Sequence, residues 1–217
     1  MDALSDQSPR RGRKAVITRE MIAEAVLAVG FDSLTMTKVA DRLGVSHAAL
    51  YSHVADRDDL VVAATDRAIE AMDLPAPVRD WRPYLRAIAN ALYRMELTHP
   101  GLHAALEESD GVSVALRDRL AEVHGQLVEL GFEAPSAFLA LELVASVAGD
   151  SARRSVRLLR RSDRSRAELG EAWSDGYDDE LRGLMIDATT SEPTAWFEHK
   201  LEVVLDGVHA SLAPKGS

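Results

Sequence analysis

Cysteine is absent from the 217 residues, which excludes a disulfide framework and a thiolate metal site. That suits a reducing compartment, and a cytoplasmic protein is expected. Aromatic residues are scarce, at 5%, while Ala and Leu abound, a balance that favours helices packed on helices over sheets. No run of about 18 consecutive apolar residues occurs, so no membrane-spanning helix and no membrane partner are expected. The opening stretch MDALSDQSPRRGRKAVITRE has no apolar run of signal-peptide length ahead of its basic cluster. No HExxH spacing, nucleophile elbow, phosphate loop or paired-carboxylate motif stands out. Neither a metal, a cofactor nor catalysis is therefore expected.

Apolar residues make up 47% of the chain, enough for a sizeable core. The net charge of −10 argues at first against nucleic acid, but the charge is unevenly spread. Arg10, Arg11, Arg13, Lys14 and Arg19 stand against Asp2 and Asp6, so a basic arm precedes an acidic body.

Residues 1–17, with Pro9 and Gly12, read as a flexible arm. Thr18 suits the cap of a helix bearing Ile22, Ala25, Val26 and Val29 on one face and stopped at Gly30. Thr35 caps a short helix with Val39, Ala40 and Leu43 inward, stopped at Gly44, and Ser46 caps a third over about 47–53. Asp56 opens a longer fourth helix, with Asp59 at a capping-box-like spacing. The prolines of DLPAPVRDW (73–81) mark the best domain boundary, giving a domain over 18–74 and a second over 75–217.

Beyond it, Trp81, Leu85, Ile88, Leu92 and Met95 form a helical stripe ended by Pro100-Gly101. Leu116, Leu120, Val123, Leu127 and Leu130 form another. Residues 135–159 are apolar on more than one side, 160–191 read mostly as loop with room for one short helix, and 196–212 close the chain as an apolar helix. No strand pattern and no internal repeat is found. The fold expected is all-α.

Two short helices joined by a tight turn containing glycine have the form of a helix-turn-helix. Gly44 can adopt positive φ without a Cβ clash, Val45 plugs the turn, and Ser46 satisfies N–H groups at the start of the second helix. In such a motif the second helix enters the major groove, and its first residues, His47, Ala48 and Ala49, would meet base edges. Histidine can donate or accept there, and alanine can touch a thymine methyl. Tyr51, Ser52 and His53 suit phosphates and groove walls, while Thr35, Thr37, Lys38 and Arg57 sit at helix starts that point at the backbone. Leu50 reads as core. Glycine-broken short helices also occur in proteins that bind no DNA, so spacing alone leaves both readings open.

The phrase TREMIAEAVLAVGFDSLTMTKVADRLGVSHAALYSHVADRDDLV resembles the N-terminal domain of the tetracycline-repressor (TetR) family over about 45 residues. The likeness lies in the Gly30-Phe31 break, LTMTKVADRLGVS, and Leu50-Tyr51-x-His53-Val54 running into Asp59-Leu60. The His53-Val54 form is similar to the branch nearest the tetracycline repressors. Two positions depart from the pattern: Arg57 stands where relatives usually carry lysine, and Asp58 adds a negative charge beside it.

The resemblance implies an all-α homodimer on double-stranded operator DNA, with an N-terminal three-helix helix-turn-helix domain and a C-terminal helical ligand-binding and dimerisation domain. It implies DNA contacts at Thr35, Thr37, Lys38, His47, Ala48, Ala49, Tyr51, His53 and Arg57, and a small-molecule effector that releases the DNA.

For the dimer, 135–159 and 196–212 carry more apolar surface than one intramolecular face requires. For the effector, His99 follows Trp81 by 18 residues, five helical turns, and so falls on the apolar stripe if that helix continues. Tyr93, His103, Glu107, His124, Phe138 and Glu142 are placed as candidates for the same space. A histidine at an apolar edge is more often a satisfied core residue. The run SARRSVRLLRRSDRSR holds seven arginines and reads as a solvated helix end, where cations suit the dipole. Two rival functions remain: an all-α small-molecule-binding enzyme with an incidental helix-turn-helix-like start, and a DNA-binding protein without a ligand.

Overall fold

The computed structural model describes residues 17–76 and 79–214. The described residues form eleven α-helices and one 3-10 turn, with no strand among them. Of the arm read over 1–17 only Ile17 is described, and it is buried in the first core.

Four helices build the N-terminal head: α1 (Arg19–Val29), α2 (Met36–Leu43), α3 (His47–Tyr51) and α4 (Arg57–Glu70). Each starts on a side-chain oxygen that accepts an otherwise orphaned N–H: Thr18 from Met21, Thr35 from Lys38, Ser46 from Ala49 and Asp56 from Asp59. Asp59 reaches back past the cap to the Ala55 N–H at 2.9 Å, a variant of the capping box. Ile22, Val26, Phe31, Leu34, Val39, Leu50, Val54 and Leu60 close the core between these helices.

The body holds α5 (Trp81–Thr98), α6 (Leu102–Glu107), α7 (Val114–Glu129), α8 (Ala134–Leu159), α9 (Asp163–Trp173), α10 (Asp179–Thr190) and α11 (Pro193–Ser211). Its core packs Leu85, Ile88 and Tyr93 of α5 against Val144 and Ala148 of α8 and Phe197, Leu201 and Leu205 of α11. Buried alanines at 137, 140, 148 and 152 let α8 lie close to its neighbours. Outside the core, Arg82 and Arg86 of α5 pair with Glu198, Glu202 and Asp206 of α11. These hydrogen bonds, first from Arg86 and then from Arg82, pull the Glu202 carboxyl down to about 2.

Head and body share side chains. Leu102 and Ala105 of α6 complete the head core. Asp66 of α4 accepts the Ser113 hydroxyl at 2.6 Å and the Ala115 N–H at 3.1 Å at the start of α7. Arg160, just past α8, pairs with Asp32 at 3.2 Å.

Two sequence expectations are corrected. The segment 160–191, read mostly as loop, is a helical hairpin of α9 and α10, capped by Ser162 and Asp178. Although Leu181, Leu184, Met185 and Ala188 fall at helical spacing on α10, both helices bury little. They are held instead by caps, by pairs such as Arg164–Glu168 at 2.9 Å, and by close approach at Gly170, where a Cβ would lie 2.4 Å from Thr189 Oγ1. The stripe on α7 is also only half used: Val123 and Leu127 are buried, while Leu120 is 40% exposed.

Candidate nucleic-acid interface and effector cavity

Gly44 closes α2 with φ 67°, the left-handed conformation expected of it, and its N–H together with that of Val45 covers carbonyls at the end of α2. The turn throws α3 out from the head. Leu50 alone of α3 is fully buried, and it anchors the helix to Val39, Val54 and Leu60. His47, Ala48 and Tyr51 are exposed, Tyr51 at 53%, and Ala49 is half-buried. Ser46, Ser52 and His53 flank the same short helix in the open, and Ser52 also donates to the Ala49 carbonyl at 2.6 Å.

On α2, Thr35, Thr37 and Lys38 are exposed, with Thr35 also occupied as the cap. Arg57 is half-buried in the first turn of α4. Asp58 is turned to the body, where it accepts the Asp110 N–H at 3.2 Å, so the acid beside Arg57 is engaged elsewhere. Among the described residues Lys38 and Arg57 make no ion pair. Cations in that state at the edge of an acidic protein are what a phosphate backbone takes up. Arg42, unassigned from the sequence, is exposed on α2. It lies one turn after Lys38, so its signal was the i, i+4 spacing.

The seven residues grouped as effector contacts do not share a cavity. Tyr93 is 3% exposed, stacked 4.2 Å from Phe197 and bonded to Ser155 at 2.8 Å, so it is a core side chain. His103 pairs with Glu107 at 3.2 Å on α6. His124 donates from Nε2 to the Ala134 carbonyl at 3.0 Å and fixes the start of α8. Phe138 and Glu142 lie exposed on the outer face of α8. His99 caps α5 instead of continuing it and, alone of the seven, lines an open groove of about 330 Å³ between α4 and α5. Ala68, Met72, Ala91, Met95 and Arg94 line the same groove. Burial pushes the His99 imidazole below its usual range, against the opposing charge of Glu96.

Glu96 is a residue the sequence reading missed. It is 2% exposed, and its two oxygens accept the N–H groups of Gly101 at 2.9 Å and His103 at 3.2 Å. It thereby sets the start of α6, the helix that inserts Leu102 into the head core. The available signal was an acid one turn after Leu92, on the apolar stripe.

Residues 21–64 match the N-terminal domain of the bacterial regulatory proteins of the tetR family. The HTH-type transcriptional repressor DrrR1 of Streptomyces coeruleorubidus is 25% identical over 63% of this chain and 53% of its own length. The chain thus spans about half the length of that relative. The class A tetracycline repressor protein of transposon 1721 from Escherichia coli is 27% identical, with 83% of each protein covered. In fold, the Streptomyces coelicolor TetR family protein ActR, solved in complex with actinorhodin, superposes with a TM-score of 0.77 over 94% of this chain and 100% of ActR, at 21% identity.

Proposed function

We propose, on the premise that the N-terminal domain of this chain belongs to the TetR family, that the protein is a transcriptional repressor. It would bind a palindromic operator as a homodimer and leave it when a small molecule binds the body. The observation that carries this reading is α3, a short helix whose one fully buried residue is Leu50, with His47, Ala48 and Tyr51 turned outward. In the operator complex His47, Ala48 and Ala49 read base edges. Thr35, Thr37, Lys38, Ser46, Tyr51, Ser52, His53 and Arg57 hold the backbone and set register.

A palindrome needs two recognition helices about 34–36 Å apart. Apolar side chains left exposed on α8 (Phe138, Leu139 and Leu143) and on α11 (Val203) support pairing of two copies through these helices. The groove beside His99 supports an effector position, because an occupant there pushes on the C-terminal end of α4, which carries the head. The effector must prefer the spacing that DNA does not, and coupling of about 1–3 kcal/mol is the usual scale. The repressor roles of DrrR1 and of the class A tetracycline repressor agree with this function. In this reading the chain is not an enzyme and works in the cytoplasm.

Gel shifts with DNA flanking its own gene test the proposal. Lys38→Ala weakens binding to every sequence and lowers the salt slope by about one, while His47→Ala changes sequence preference. A monomer that binds no DNA at micromolar concentration refutes the reading, as do equal effects of both substitutions on all sequences.

A further inference from the structure

We propose that a cleft under the α9–α10 hairpin binds a small aromatic carboxylate. The cleft is walled by Ser151, Arg154 and Ser155 of α8, Trp196 and Lys200 of α11, and Ala188 of α10. It lies at the C-terminal half of α8, away from the exposed Phe138, Leu139 and Leu143 and from the groove beside His99.

Three observations converge on it. The Ser151 hydroxyl is buried, in a residue 3% exposed, and has no hydrogen-bond partner. Its neighbour is already committed: Ser155 donates to the Ser151 carbonyl at 2.8 Å, and Tyr93 donates to Ser155 at 2.8 Å. A buried hydroxyl without a partner is costly, and one lining a cleft is a donor in waiting.

Two cations also meet there without an acid. Among the described residues Arg154 and Lys200 make no ion pair, although the adjacent Arg153 pairs with Asp150. In a chain of net charge −10, two uncompensated cations at one cleft mark a place for an anion. The walls are aromatic, too. Trp196 and Phe197 line the cleft, and the Trp173 ring lies 5.9 Å from the Arg154 guanidinium.

The cleft is closed down to about 10 Å³, room for one water-sized group, so a ligand must lift the hairpin. Arg154 holds that hairpin by donating to the Ala188 carbonyl at 3.0 Å. A carboxylate replaces this neutral acceptor with a charged one, a stronger and shorter bond. The exchange is made easier because Gly170, Ser174 and Thr189 are the hairpin's buried residues. The cleft's role as an effector site rests on the repressor reading; its capture of an anion does not.

The test titrates the full-length protein with 4-nitrobenzoate, following quenching of Trp173 and Trp196, with neutral 4-nitrobenzamide in parallel. The carboxylate is expected to bind, and the amide to bind at least about tenfold more weakly. Arg154→Gln and Lys200→Gln each weaken the carboxylate by about tenfold, whereas Arg153→Gln binds like the wild type. Equal binding of acid and amide overturns the site, as does no binding at millimolar concentration or variants indistinguishable from wild type. DNA retention is measured in the same samples. DNA binding unaffected by a bound carboxylate leaves the site standing and removes it as the effector site; failure to bind DNA at all counts against the repressor reading alone.

Discussion

Replacing Asp66 with alanine should loosen the joint between head and body by a measurable amount. One carboxylate oxygen, Oδ1, accepts both the Ser113 hydroxyl at 2.6 Å and the Ala115 N–H at 3.1 Å. Hydrogen bonds to a charged group are worth about 1.5–3 kcal/mol each when a partner is stranded. Ser113 is 5% exposed, so its hydroxyl loses most of that value, while the start of α7 is open enough, with Val114 50% exposed, for water to reach the Ala115 N–H. A total of about 2–3 kcal/mol follows, including a small part for the lost acid at the N-terminus of α7. Urea unfolding at one fixed protein concentration reads this as a lower midpoint with an unchanged slope. A double-mutant cycle with Ser113→Ala should return a coupling of about 1–2 kcal/mol, since the two share one bond. The salt slope of DNA binding should stay as it is, because no phosphate contact is touched. A loss under about 0.5 kcal/mol, or strict additivity with Ser113→Ala, would show that the clasp contributes nothing to the joint.

Gly44→Ala is expected to cost about 1–2 kcal/mol through the backbone alone. Its φ is 67°, and a Cβ there would meet nothing within 4 Å. Thermal melting checks this, and a neutral result refutes the strained-turn account of α3. Glu202→Gln should lower the melting temperature at pH 7, and the gap to wild type should close on acidification. The folded Glu202 carboxyl sits at about 2, below its ordinary 4.5, because Arg86 and Arg82 bond its ionised form. Its stabilisation is therefore full above about 4.5 and is lost as pH falls towards about 2. A gap that does not change between pH 7 and pH 2.5 refutes that assignment.

What was legible in the sequence was whatever the backbone dictates within a few residues. Thr18, Thr35, Ser46 and Asp56 each cap the helix that follows, and Gly30 and Gly44 end the one before at φ 82° and 67°. Such residues act locally, so reading them needs no knowledge of the fold. Leu50 was legible as core for the same reason: it is the apolar residue of a helix otherwise made of His, Ala and Tyr.

The hairpin of α9 and α10 was passed over because the short period of Leu181, Leu184, Met185 and Ala188 sits in a stretch dominated by Ser, Asp and Arg, and Gly170 acts on a residue in another helix, Thr189. The effector candidates lie apart for a further reason. Periodicity says that Tyr93 and His124 lie on particular helix faces, not which neighbour covers each face. That depends on how helices distant in sequence come to pack: Phe197 covers Tyr93, and the Ala134 carbonyl satisfies His124. Asp66 and Glu96 show the same limit from the other side. Each is an acid in a helix, unremarked among 35 Asp and Glu residues, until tertiary packing brings orphaned N–H groups of a second helix to its carboxylate. The residues that join head to body are therefore among the ones a local reading passes over.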